Sequence, residues 1–116
     1  MSSSPEAAVE ILNNATPTTG SYSGNPVLVP GSNHVEIFVV VTAGAGTFTL
    51  SVQPIENVSG TAVGSPYTTA ALTAGGTGVI LLDYEGTNKT IGDSLKVSWT
   101  VVGVVSGVYV RLMKKK

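Results

Sequence analysis

From Val35 to Val41 every second side chain is a β-branched aliphatic: Val35, Ile37, Val39 and Val41. A period of two puts those four on one face of a strand and leaves Glu36, Phe38, Val40 and Thr42 on the other. A helix would scatter them around its circumference, and β-branched side chains pack best on a pleated surface. The same period returns further along. Phe48, Leu50 and Val52 alternate with Thr47, Thr49 and Ser51, and Ile80, Leu82 and Tyr84 alternate with Val79, Leu81 and Asp83. Leu95, Val97, Trp99 and Val101 oppose Lys96, Ser98 and Thr100, and Val108, Val110 and Leu112 oppose Tyr109, Arg111 and Met113.

Glycine and proline set the punctuation. Ala43-Gly-Ala-Gly46 reads as a tight turn that makes a hairpin of the strands on either side of it, and residues 102–107 turn the chain so that its last strand pairs back on the one before. Residues 7–14 have length for two helical turns. Val9, Ile11 and the Asn-Asn-Ala-Thr-Pro run that follows favour a first strand instead. Residues 16–25 form a loop or extended crossing segment, and residues 27–29 a short strand stopped by Pro30-Gly31. Between Pro54 and Gly76 the expectation is a long loop holding one irregular or edge strand, since Pro66 excludes a central position.

Seven to eight short strands at spacings near ten residues, with no helix, predict an all-β fold, an antiparallel β-sandwich of immunoglobulin-like or jelly-roll type. With 116 residues there is one core. The expected organisation is a flexible N-terminal arm over residues 1–8, a single sandwich over 9–113, and a basic tail over 114–116.

Charge narrows the function classes. Only 11% of residues are charged, six basic and seven acidic, for a net charge of −1. That is less than half the ~25% usual for soluble domains, and it suggests a surface that meets another protein. It gives no basic field for nucleic acid. With no cysteine, disulfides, thiolate metal sites and a thiol nucleophile are excluded. No apolar run has the length of a membrane span and the N-terminus lacks a secretory pattern, so the expectation is a chain made in the cytoplasm.

Catalytic constellations are hard to assemble. His34 is the sole imidazole, with no Gly-x-Ser-x-Gly elbow, and reads as a turn or strand-edge histidine. Asp83, Glu85 and Asp93 could bind Ca²⁺ only if loops converged, and read as solvating strand ends. The glycine-rich stretches at 43–46 and 74–78 match no nucleotide-binding fingerprint. Arg111 with Lys114, Lys115 and Lys116 is the only basic cluster, and reads as a solvated end. The sequons at Asn14, Asn57 and Asn88 read as chance in a chain rich in Thr and Ser. The expectation is no enzyme, no catalytic residue, no cofactor and no metal. What remains is surface: sheet edges that accept an added strand, and an arm over residues 1–26 that reaches a neighbouring subunit. Candidate partner contacts are Pro5, Glu6, Ser21, Tyr22 and Tyr67.

The succession Val9-Glu-Ile-Leu12, a Thr/Gly loop, Val27-Leu-Val29-Pro-Gly31, VEIFVVVT at residues 35–42, Gly46-Thr-Phe-Thr-Leu-Ser-Val52, Gly76-Thr77 with its strand, and Leu95-Lys-Val-Ser-Trp-Thr-Val-Val-Gly103 with the closing strand resembles small all-β virion proteins of tailed bacteriophages. The resemblance implies a structural protein of the virion. In particular it implies a capsid decoration (cement) protein, a homo-oligomer with the trimer favoured, bound to the major capsid protein on the outer capsid surface. Neck, tail and head-fibre positions are the alternatives it leaves. A carbohydrate-binding adhesin-type sandwich is a rival, with Tyr22, Tyr67 and Tyr109 as sugar-stacking residues. A small hydrolase built on His34 is another.

Overall fold

The computed structural model describes residues 7–29, 34–83 and 93–115. Ten strands follow in order: β1 (Ala7–Ala15), β2 (Gly20–Ser21), β3 (Val27–Leu28), β4 (His34–Ala43), β5 (Thr47–Glu56), β6 (Thr61–Ala62), β7 (Tyr67–Thr68), β8 (Thr77–Asp83), β9 (Ser94–Val102) and β10 (Ser106–Lys115). There is no helix among the described residues. One sheet has the order β1-β10-β4-β8, and the other has β9 and β5 at its centre, β2 and β3 along the free side of β9, and β6 and β7 along that of β5. All pairings are antiparallel. With β2–β3 and β6–β7 each counted as one interrupted segment, the order is first, eighth, third, sixth in one sheet and second, seventh, fourth, fifth in the other. That is the jelly-roll order, so the expected sandwich is present and its open topology is resolved.

Two expected hairpins are corrected. β4 pairs with β10 and β8, whereas β5 pairs with β9, so the turn at 44–46 carries the chain between sheets. β9 and β10 likewise lie in different sheets, and residues 103–105 form a second corner. The two corners pack together. The Gly46 N–H donates to the Val104 carbonyl at 2.8 Å, and a Cβ on Gly46 would collide with the Val102 carbonyl oxygen and stand 2.6 Å from the Val104 nitrogen. Alternation reports which side chains face the core, and this is the same whichever sheet a strand joins.

The stretch after Pro54 also differs from expectation. β5 continues through Pro54 to Glu56, and two short strands, β6 and β7, run along its outer side. The Pro54 carbonyl accepts the Val63 N–H at 2.9 Å. Its nitrogen faces that same side, away from β9, so the missing donor costs the central ladder nothing. At the tip beyond, the Glu56 carboxylate accepts from the Ser59 N–H at 2.9 Å, the Ser59 hydroxyl at 3.0 Å and the Val58 N–H at 3.2 Å. These bonds, that of the Ser59 backbone foremost, hold the Glu56 carboxyl below the usual carboxylate range.

The core follows the alternation. Val35, Ile37, Val39, Val41, Ile80, Leu82, Val108, Val110 and Leu112 of one sheet are buried against Phe48, Leu50, Val52, Leu95, Val97 and Trp99 of the other. Burying such side chains contributes about 1.5–3 kcal/mol each. Phe48 and Trp99 stack with ring centroids 6.2 Å apart. Val105 is fully buried beneath the second corner.

Residues 7–26 do not form an arm, which corrects that part of the 1–26 expectation. β1 pairs with β10 from Ala7 onward, and residues 18–29 run along β9. The Trp99 indole N–H donates to the Thr18 carbonyl at 2.7 Å. Where the backbone leaves the ladder, side chains replace it. Thr19 Oγ1 accepts from the Val101 N–H at 2.8 Å and donates to the Val101 carbonyl at 3.2 Å. Asn25 does the same at Val97, between β2 and β3. Pro5 and Glu6 lie outside the described residues.

Candidate functional site

The two sheets present different outer faces. On the β5–β9 pair the outward rows are Thr49 opposite Thr100, Ser51 opposite Ser98, and Gln53 opposite Lys96. This is the polar surface that an antiparallel sheet turns to water. On the four-stranded sheet the outward positions are largely apolar. Phe38 is 42% exposed, Tyr109 39%, Val79 46% and Leu81 43%. Val40 and Met113 lie between them, half-buried.

Strand register sets these residues in rows. Glu10 lies opposite Arg111, Arg111 opposite Phe38, and Phe38 opposite Val79. One row away, Met113 lies opposite Glu36 and Glu36 opposite Leu81, while on the other side Tyr109 lies opposite Val40. Glu10, Phe38, Val40, Tyr109, Arg111 and Met113 line a shallow depression of about 410 Å³. At its flank Glu10 Oε1 takes both Arg111 Nη2, at 2.7 Å, and Arg111 Nε, at 2.9 Å. His34 Nε2 stands 3.7 Å from Glu36 Oε1 at the far end of the same face. A contiguous apolar face bounded by such polar groups has the composition of a protein contact, with an apolar centre and a polar rim.

The candidate partner contacts named from the sequence lie elsewhere, whereas Tyr109 and Arg111 belong to this face. Ser21 is exposed in β2, opposite Ser98. Tyr22 follows it with its ring against the core and its N–H donating to the Val97 carbonyl at 3.0 Å. Tyr67, in β7, lies opposite Val52 and also packs on the core. Tyr22 and Tyr67 flank opposite sides of the β9–β5 pair, and Tyr109 belongs to the other sheet, so the three do not form one stacking platform.

Of the basic cluster, Lys116 lies outside the described residues, and Arg111 and Lys114 have separate partners. Arg111 is held by Glu10, and Lys114, inside β10, donates through Nζ to the Leu28 carbonyl at 3.2 Å. Asp93 Oδ1 accepts the Asn57 N–H at 2.9 Å, while Glu85 lies outside the described residues. Among the described residues no three His, Asp or Glu side chains gather as a metal site would require.

Phe38, Val40, Val79, Leu81, Tyr109 and Met113 were thus missed as a surface, although the signal was present. In residues 37–41 and 79–82 both faces of the strand are apolar, where a strand with one face in water alternates apolar and polar.

No family model matches the chain, and no curated protein does. Solved structures do. The fold is similar to that of a chain in the crystal structure of the T13 viral particle of infectious bursal disease virus, with a TM-score of 0.51 and 9% identity over 92% of this chain. It is similar also to a chain in the structure of the Gx strain of that virus, with a TM-score of 0.51 and 12% identity, again over 92%. The chain spans 30% and 31% of the length of these two neighbours. Neither comes from a tailed bacteriophage, the source named by the sequence resemblance.

Proposed function

We propose that this chain is a structural protein of a virus particle, and within that class a decoration subunit that seats on the assembled shell of a major capsid protein and stabilises it. One observation carries the reading: a small jelly-roll, alike in fold to chains of a virus particle, that leaves the outer face of one sheet apolar in a chain only 11% charged. The role is one of binding and not of catalysis. A subunit that binds the assembled shell and not its free parts stabilises the shell by mass action, repeated over every symmetry-related site. Pro5, Glu6, Ser21, Tyr22 and Tyr67 remain the proposed contacts to the shell.

The test is to add the purified chain to shells assembled from the major capsid protein of the same virus. Saturable co-sedimentation at a fixed stoichiometry and a raised disruption temperature are expected. Copy number separates the positions within the class: hundreds per particle for decoration, about a dozen or fewer for neck, tail or head fibre, in keeping with closed rotational symmetry at an axis. Removing residues 1–6, which leaves every described strand whole, is expected to preserve the fold and weaken shell binding. The chain's absence from purified particles would overturn the proposal. The adhesin alternative predicts that the isolated chain binds glycans without any shell.

A further inference from the structure

We propose that the outer face of the β1-β10-β4-β8 sheet is a self-association surface, and that two copies pack it face to face about a two-fold axis parallel to the strands, midway between β10 and β4. The inference concerns the chain free of any particle and does not rest on the virion reading.

Three observations converge on a second copy as the occupant. The first is the layout of the face. Its midline separates Tyr109, Arg111 and Met113 on β10 from Val40, Phe38 and Glu36 on β4, and these six are register partners one to one. A two-fold axis on that midline sets each residue over the other copy of its own register partner. The Arg111 guanidinium then covers a Phe38 ring, a cation–π contact made twice, and Tyr109 covers Val40. Arg111 keeps its Glu10 partner at the flank, so its charge enters the contact already paired.

The second observation is area. Four side chains about two-fifths exposed, with Val40, Met113, Glu10 and Arg111 beside them, present on the order of 700 Å². A stable pair buries about 800 Å² per partner. Sheets stack face to face in this way at about 10 Å. With a net charge of −1 the copies repel only weakly.

The third observation is that three of the four sheet edges among the described strands are poor alternatives, the exception being β8, seven residues long with a regular register. β1 carries register irregularities between Glu10 and Leu12 and again between Leu12 and Ala15. Strands bulged in this way resist edge-to-edge pairing. On the other sheet the outer strands β2, β3, β6 and β7 are two residues each.

Sedimentation velocity and native mass spectrometry over a concentration series test this directly. The expected result is a monomer–dimer equilibrium with the dimer dominant by about 100 µM. Phe38→Lys removes the ring and sets a second cation against the partner's Arg111. It is expected to weaken dimerisation at least a hundredfold with an unchanged circular dichroism spectrum, as is Val79→Glu, which sets a carboxylate against the partner's Glu10. Val58→Lys, at a residue 92% exposed in the turn after β5, is expected to dimerise as the parent does. A monomer at every concentration overturns the proposal, and so does a trimer, since a three-fold ring joins two different patches. An unchanged dimer in both face variants does the same.

Discussion

Asn25 and Val97 exchange two hydrogen bonds: the Asn25 amide donates to the Val97 carbonyl at 2.8 Å, and the Asn25 side-chain oxygen accepts the Val97 N–H at 3.0 Å. The carboxamide thus stands in for a missing strand residue, filling the gap in the ladder along β9 between β2 and β3.

Asn25→Ala leaves the part-buried Val97 N–H without this partner, and an expected loss of about 1–3 kcal/mol follows. Urea unfolding checks it as a lower midpoint at constant slope. Asn25→Asp keeps the acceptor but opposes a carboxylate to the Val97 carbonyl. Its deficit is expected to shrink at acidic pH, where the protonated acid can donate. An Asn25→Ala variant as stable as the parent would show that the side chain does not close the ladder.

At the corner between β4 and β5, Gly46→Ala is expected to cost more than about 2 kcal/mol, because the new methyl meets backbone atoms of Val102 and Val104 that cannot rotate away. Gly60→Ala serves as a comparison. Gly60 has φ +72° and nothing within 4 Å of an added Cβ, so only the backbone preference, about 1 kcal/mol, is lost. Thermal midpoints ranked parent, Gly60→Ala, Gly46→Ala are the expected result. The reverse order of the two variants would mean that the corners are not tightly packed.

Ser94 is fully buried at the start of β9, and its hydroxyl oxygen has no hydrogen-bond partner. Removing an unsatisfied group relieves its desolvation, so Ser94→Ala is expected to be neutral or to stabilise by up to about 1 kcal/mol, unusual for a core substitution. Calorimetry would show it, and a clear loss of stability would contradict the reading.

Acid should loosen the tip between β5 and β6 before the sandwich itself. Hydrogen bonds from Ser59 and Val58 lower the folded-state pKa of Glu56, so its contribution is complete above the unfolded-state value and is lost as pH falls through the folded one. Nuclear magnetic resonance titration should place the Glu56 midpoint below that of an ordinary glutamate. In Glu56→Gln the amide exchange of Val58 and Ser59 should lose this pH dependence. A normal midpoint would remove the argument.

These cases show what the sequence could and could not reveal. The buried rows of β4, β5, β8, β9 and β10 were legible, since each strand's apolar side chains sit two apart and nothing but a strand faces them all inward. Partnership was not, because Gly46 and Gly103 look alike whether the chain reverses within a sheet or crosses between sheets. The stand-ins at Thr19 and Asn25 were equally silent, since a polar side chain in a loop carries no mark of the backbone it will pair with. The apolar outer face was half legible. Phe38, Val40, Val79 and Leu81 are visible as unexpected apolar outward positions, but only the register β10-β4-β8 gathers them into one surface with Tyr109 and Met113.

The crossings have a kinetic consequence. In the jelly-roll order only one connection, from β5 to the β6–β7 segment, joins neighbours in the same sheet. Every other pairing waits for strands distant along the chain to meet, β1 with β10 most of all. Loop-closure entropy then comes before any reward from contact, so the chain belongs with the slow folders of its size, in the range of milliseconds to seconds. Until the last strand docks between β1 and β4, both apolar faces of that sheet lie open at once, and at high chain concentration a nascent chain must close one of them before the other finds a neighbour.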